Sequence, residues 1–233
     1  MPRHPNKKRA PGRPRHGTLT RELILKRALG LMDREGFEAV TMRRLADHLG
    51  VTPMALYNHV RSKKDLFGSI AEYLTTQINF DCDEPDWRDR ISTCFRRLRD
   101  ACLAHPSAVD LMESLEAAPP AVFRPMEITL AALDEIGVTG KDAVRIYFLL
   151  MNFTMGQLSY EIRGPFESLD PAQALAGSRL KGAEFAYIQR SVSFAEWDFD
   201  SAFDFGLSVI LNGAEQISAR RTKSRAGRRA RTT

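Results

Sequence analysis

At 233 residues, 43% of them hydrophobic, the chain is too apolar for disorder throughout and long enough for one compact domain with a small satellite. Its longest clean apolar run, residues 146–151, falls far short of a membrane span, and its three cysteines are odd in number and lack metal-ligand spacing. The net charge of +5 conceals a segregation: residues 1–21 carry seven Lys or Arg and no acid, 22–65 eight and six, 66–217 twelve and twenty-three, and 218–233 seven and none. The acidic middle is repelled by a phosphate backbone, whereas both ends and residues 22–65 are attracted to one. With no secretory signal ahead of them, Cys82, Cys94 and Cys102 predict a reducing cytoplasm; Cys94 and Cys102 read as small buried hydrophobes.

Residues 1–17 form a basic, Pro-rich arm without apolar periodicity and are expected to be disordered. Within it Gly12-Arg13-Pro14-Arg15 resembles the core of an AT-hook, which would put Arg13 and Arg15 into a narrow minor groove. Pro11 stands where the hook usually has Arg, and a merely solvated tail remains open.

A Thr20 cap opens a helix to Glu35 with Leu23, Ile24, Ala28, Leu31 and Met32 on its buried stripe, and Gly36 ends it. Thr41 caps a second helix in which Leu45, Ala46 and Leu49 recur at helical spacing. Gly50 suits the positive φ of a helix end, Val51 anchors the turn, and Thr52-Pro53 restarts the chain as N-cap and first residue of a short helix to His59. This is a helix-turn-helix arrangement. Leu56 and Val60 face inward, leaving Thr52, Met54, Ala55, Tyr57, Asn58 and His59 for base edges and phosphates. A small helical hairpin in any all-α protein has the same spacing.

Residues 19–74 resemble the DNA-binding domain of the tetracycline-repressor (TetR) family. The motifs that carry the resemblance are Arg34-Glu35-Gly36-Phe37, Thr41, Arg43, Leu45-Ala46, Leu49-Gly50-Val51, Leu56-Tyr57-Asn58-His59-Val60 and Lys63-Lys64-Asp65-Leu66. The resemblance implies operator contacts at Thr41, Arg43, Thr52, Pro53, Met54, Ala55, Tyr57, Asn58, His59 and Lys63, with Arg44 beside them. Asn58 stands where the family often has a bulky aromatic residue.

Ser62 and Asp65 read as a capping box opening a fourth helix, with Leu66, Ile70, Leu74 and Ile78 at spacing four. The expected division is a reading domain at 18–66, a regulatory and dimerisation domain at 67–219, and a disordered basic tail at 220–233. Helices are expected from Trp87 to His105, from Ala108 to Leu115, from Pro119-Pro120 to Gly137, and from Asp142 to Ile162, the last covered on most sides. Residues 164–197 hold a loop and a helix near 183–192. A last helix from Asp200 to Ala219 presents Phe203, Leu207, Ile210, Ala214 and Ile217 on one face beside Gly206 and Gly213. Two helix-interior glycines point to close helix contact, either within the chain or with a second copy. The resemblance favours the second and implies a homodimer. The fold class is all-α, a three-helix helix-turn-helix domain joined to a larger helical domain for ligand binding and dimerisation.

Phe95, Met112, Phe123, Met126, Phe148, Met151 and Met155, with Cys102 and His105, suit either an apolar pocket or a filled core. Residues 87–105 resemble the regulatory domain of the tetracycline-responsive branch, which holds its drug through a magnesium ion bound by a His after this helix. Residues 106–125 contain no His, so an organic effector held by apolar contacts is expected, with no metal and no cofactor. Glu113 with Glu116, or His105 with Asp110, reads as solvated surface rather than a catalytic pair, and no enzymatic activity is expected. The function implied is an effector-released repressor of a palindromic operator, with no membrane partner. An activator of the same family, or an architectural protein binding unrelated duplexes alike, is the alternative.

Overall fold

Four side-chain caps set the first half of the chain. Thr20, Thr41, Thr52 and Ser62 each accept from the backbone N–H three residues on, at Leu23, Arg44, Ala55 and Asp65. The structure is a computed structural model that describes residues 19–164, 186–187 and 198–229, with side chains to residue 223. The helices are α1 (Arg21–Glu35), α2 (Met42–Leu49), α3 (Pro53–Tyr57), α4 (Lys63–Gln77), α5 (Trp87–Ala104), α6 (Ser107–Glu113), α7 (Arg124–Glu135), α8 (Lys141–Arg163) and α9 (Phe199–Arg229). No strand occurs among the described residues, so the chain is all-α as expected. The basic arm at 1–17 lies outside the described segments, and of the helix expected near 183–192 only residues 186–187, both helical, are described.

Helices α1 to α4 close one core. Ile24, Ala28, Met32, Leu45, Ala46, Leu56, Leu66 and Ile70 are fully buried in it, and the packing continues past residue 66 through Phe67, Ala71 and Leu74. Two residues of α6, Ala108 and Leu111, are part of the same core. Ser107 seals that joint by donating its hydroxyl to the Met32 carbonyl at 2.9 Å. The second core lies between α5, α7, α8 and α9, around Ile91, Phe95, Leu133, Leu150, Phe203 and Leu207.

Several boundaries differ from expectation. The helix expected from Pro119 starts as a 3-10 turn, Pro120–Phe123, and becomes α-helical only at Arg124, because Pro125 is tolerated in a first helical turn and not in an interior. Helix α8 is not covered on most sides; Phe148, Leu149 and Tyr160 are exposed. The basic tail expected to be disordered from 220 is helical to Arg229. Arg, Lys and Ala are good helix formers, and Arg221 ties the helix to the α7–α8 turn by donating to Asp142 at 2.6 Å and to the Gly137 carbonyl at 3.3 Å.

Candidate nucleic-acid interface

The reading unit is shaped by its turn. The Gly50 N–H donates to the Asp47 carbonyl at 3.1 Å and the Val51 N–H to the Ala46 carbonyl at 3.0 Å, the two bonds of a Schellman end. They require a left-handed residue at position 50, and Gly50 has φ 67° and ψ 28°. Ala46 is fully buried, and its small side chain lets α3 cross α2 closely. Leu56 and Val60 hold α3 to the core, so its other residues turn outward.

Thr41, Arg43, Arg44, Thr52, Pro53, Met54, Tyr57, Asn58 and Lys63 are exposed, and Ala55 and His59 are half-buried. Met54 is 72% exposed, which for an unbranched apolar side chain at the centre of a helix face marks an uncovered contact surface. Two candidates are already engaged. Arg44 is paired with the Glu35 carboxylate, and the Lys63 ammonium lies 5.0 Å over the Phe67 ring. Arg43 makes no hydrogen bond or ion pair among the described residues. Arg13 and Arg15 lie outside the described segments.

The nine residues suggested for an effector pocket do not converge. Phe95, Met126 and Met151 belong to the second core, Cys102 and Met155 to a small cluster with Leu158, and Met112 to the α1–α4 core. Phe123 and Phe148 are each 52% exposed. His105 sits at the end of α5, its ring 2.8 Å from the Asp33 carboxylate of α1. It alone of the nine borders a cleft of about 710 Å³ between α1, α4 and α5. Helical stripes on α5, α6, α7 and α8 face different neighbours, so aromatic and Met content alone does not assemble a cavity.

What the interior holds instead is polar. Arg99 of α5 is 5% exposed, donates twice to Glu161 of α8 at 3.0 and 2.6 Å, meets Asp200 of α9 at 2.7 Å and lies 5.1 Å over the Phe203 ring. One and two turns before Glu161, the buried atoms Gln157 Nε2 and Thr154 Oγ1 have no hydrogen-bond partner among the described residues. The sequence does carry a signal for Arg99, since a charge four residues after Phe95 and three before Cys102 interrupts the apolar stripe of α5.

Part of the face suggested for subunit contact is buried within the chain itself. Phe203, Leu207 and Ala214 are each 1% exposed inside the chain's own core, so they are closed to a second copy. Gly206 is taken by the same core. A Cβ there would lie 2.1 Å from the Phe153 ring, which stacks on Phe203 at 5.5 Å. Ile210 and Ile217 are partly buried against that core. Gly213 faces open space. The apolar residues α8 and α9 leave uncovered are Phe148, Leu149, Phe205 and Val209.

A short helix presented on a Schellman turn and held against a second helix is the helix-turn-helix arrangement of a DNA-reading domain, here joined to a larger helical domain. Comparison with known proteins agrees: the profile for bacterial regulatory proteins of the tetR family matches residues 24–70, and the tetracyclin repressor-like C-terminal domain matches residues 81–217. The chain therefore belongs to the TetR family of transcriptional regulators. It is 29% identical to the tetracycline repressor protein class A from transposon 1721 of Escherichia coli, over 82% of this chain and 88% of that one. The Streptomyces coelicolor TetR family protein ActR in complex with actinorhodin superposes with a TM-score of 0.73 at 26% identity, covering 87% and 99% of the two chains. BioQ with its double-stranded DNA operator gives 0.61 at 25% identity, covering 84% and 98%.

Proposed function

We propose that the protein is a repressor that holds a palindromic operator as a homodimer and releases it when a small organic molecule enters the regulatory domain. The observation that carries this is the reading unit itself, with Thr52, Met54, Tyr57 and Asn58 exposed above a buried Leu56 and Val60. In it Arg43 takes a guanine edge, Met54 a thymine methyl, and Thr41, Tyr57 and Lys63 phosphates. A helix of under two turns reads few base pairs, so a twofold pair supplies the remaining specificity. The uncovered Phe148, Leu149, Phe205 and Val209 are apolar surface that a second copy would bury. Residues 18–66 form the reading part and residues 67–219 the regulatory and dimerisation part.

The effector reading draws support from the ActR complex and from Thr154 and Gln157. A buried polar group without a partner costs about 1–3 kcal/mol, and a ligand carbonyl or hydroxyl would satisfy both atoms. The absence of His between residues 106 and 125 speaks for direct contacts rather than a metal bridge. No described helix is long and apolar enough to cross a membrane. Binding an operator duplex places the protein's action in the cytoplasm. Selecting bound duplexes from a random pool tests the reading. A palindromic consensus is expected; equal recovery of unrelated sequences would show an architectural protein instead.

A further inference from the structure

The second basic block of the chain lies at the wrong end of the molecule for the operator. Helix α8 crosses the regulatory domain with 23 residues, about 34 Å of rise. One end meets the reading domain through α6, where Arg163 donates to Asp110 at 2.5 Å and α6 in turn is fixed to α1 by Ser107. The other end is the α7–α8 turn. Helix α9 runs against α8. Asp200 starts beside Arg99 and Glu161, Glu215 meets Arg88 at 2.5 Å, and Arg221 reaches Asp142. Beyond Arg221 the helix continues to Arg229, away from α3, for about 12 Å. At a Debye length of about 8 Å, phosphates bound to α3 are screened from this pole.

We propose that the end of α9, from Arg220 to Arg229, is a second DNA-binding element that holds a separate duplex at the pole opposite the recognition helices. Residues 218–233 carry seven Lys or Arg and no acid, and Arg220 and Lys223 are exposed. That charge density fits a polyanion. A membrane surface requires an apolar face as well, and the only apolar side chains in this stretch are alanines. Duplex DNA is the polyanion that surrounds a protein already seated on an operator, so the operator-bound protein bridges two segments.

The inference rests on the proposed operator binding by α3, and one assay separates the two. The selected operator duplex is immobilised, the full chain is bound, and capture of a labelled duplex lacking the operator is measured. Substituting Gln at Lys223, Arg225, Arg228 and Arg229 preserves helix propensity and removes the charge. Capture is expected to fall at least tenfold while operator affinity stays within twofold. The salt slope for the non-operator duplex becomes shallower by about 0.9 per lost contact. Undiminished capture overturns the proposal, as does a parallel loss of operator affinity. So does Gln-sensitive binding to phosphatidylglycerol vesicles by a wild type that captures no DNA. If Arg43→Ala on α2 leaves operator binding intact, the reading of the α2–α3 unit fails while Gln-sensitive binding of the non-operator duplex still tests the far pole.

Discussion

Replacing Arg99 by Met removes the one cation paired with Glu161 among the described residues, a carboxylate whose side chain is 16% exposed, and leaves it in the interior near Asp200. Breaking one partner of a buried pair costs about 3–5 kcal/mol, because the surviving charge has lost both water and partner. At roughly 2–4 °C per kcal/mol for a chain of this size, the melting temperature should drop by roughly 6–20 °C. Asp200 contributes much less. Its side chain is 80% exposed, so Asp200→Asn should cost under about 1 kcal/mol. The decisive variant is the double substitution Arg99→Met, Glu161→Met, which removes both charges and fills the space with apolar atoms. Its stability should return to near wild type or above it. Chemical and thermal unfolding of Arg99→Met, Glu161→Met and the double variant supply the cycle. A single Arg99→Met costing under about 1 kcal/mol, or a double variant as damaged as the single, would refute the assignment of a buried, coupled pair.

Arg43→Ala should lose roughly 1–3 kcal/mol of operator affinity and relax preference at one base pair per half-site, whereas Tyr57→Phe should weaken all duplexes alike; equal losses on operator and random DNA for both would remove the base contact. Phe205→Glu should leave the fold intact, since the side chain is 71% exposed, yet yield monomer by sedimentation; a variant that stays dimeric moves the interface elsewhere. Thr154→Val should be neutral or stabilising, because it deletes a buried unpaired hydroxyl, and should weaken effector response in a release assay; a destabilised protein would mean the hydroxyl is satisfied. Burial pushes the Cys94 thiol up to about 12 and Cys102 to about 11, so near pH 8 only about one Cys102 in a thousand, and fewer Cys94, are thiolate. Cys82, the half-exposed one, should be the single fast-reacting thiol of the native protein, with the others appearing in denaturant; three fast thiols would contradict the packing.

The reading unit was legible because its determinants are local. Thr20, Thr41, Thr52, Ser62 and Gly50 act on backbone groups within a few residues, so the letters alone place them. Packing between distant helices is a different matter. Periodicity puts Phe203, Leu207 and Ala214 on one face of α9, but that this face closes on the chain's own core, with the Phe153 ring over Gly206, is not written in α9. The residues suggested for a pocket are not brought together for a related reason: Phe95 and Met112 sit on stripes that meet different cores, and Phe123 is exposed. Arg221 shows the limit of composition: a block that reads as solvated tail is tied down as helix by a carboxylate 79 positions away and a carbonyl 84 positions away, both at the α7–α8 turn.

The insertion of Ala108 and Leu111 into the core of α1 to α4 bears on modularity. A reading head cut from this chain at residue 66 would leave behind Phe67, Ile70, Leu74 and the α6 pair, and would begin life with an open hydrophobic wound. Grafted onto another regulator, it would need that host to offer an α6 of matching shape. Specificity and responsiveness are therefore inherited together in this architecture, and exchange of one between relatives is constrained by a seam of a few methyl groups rather than by the sequence that reads DNA.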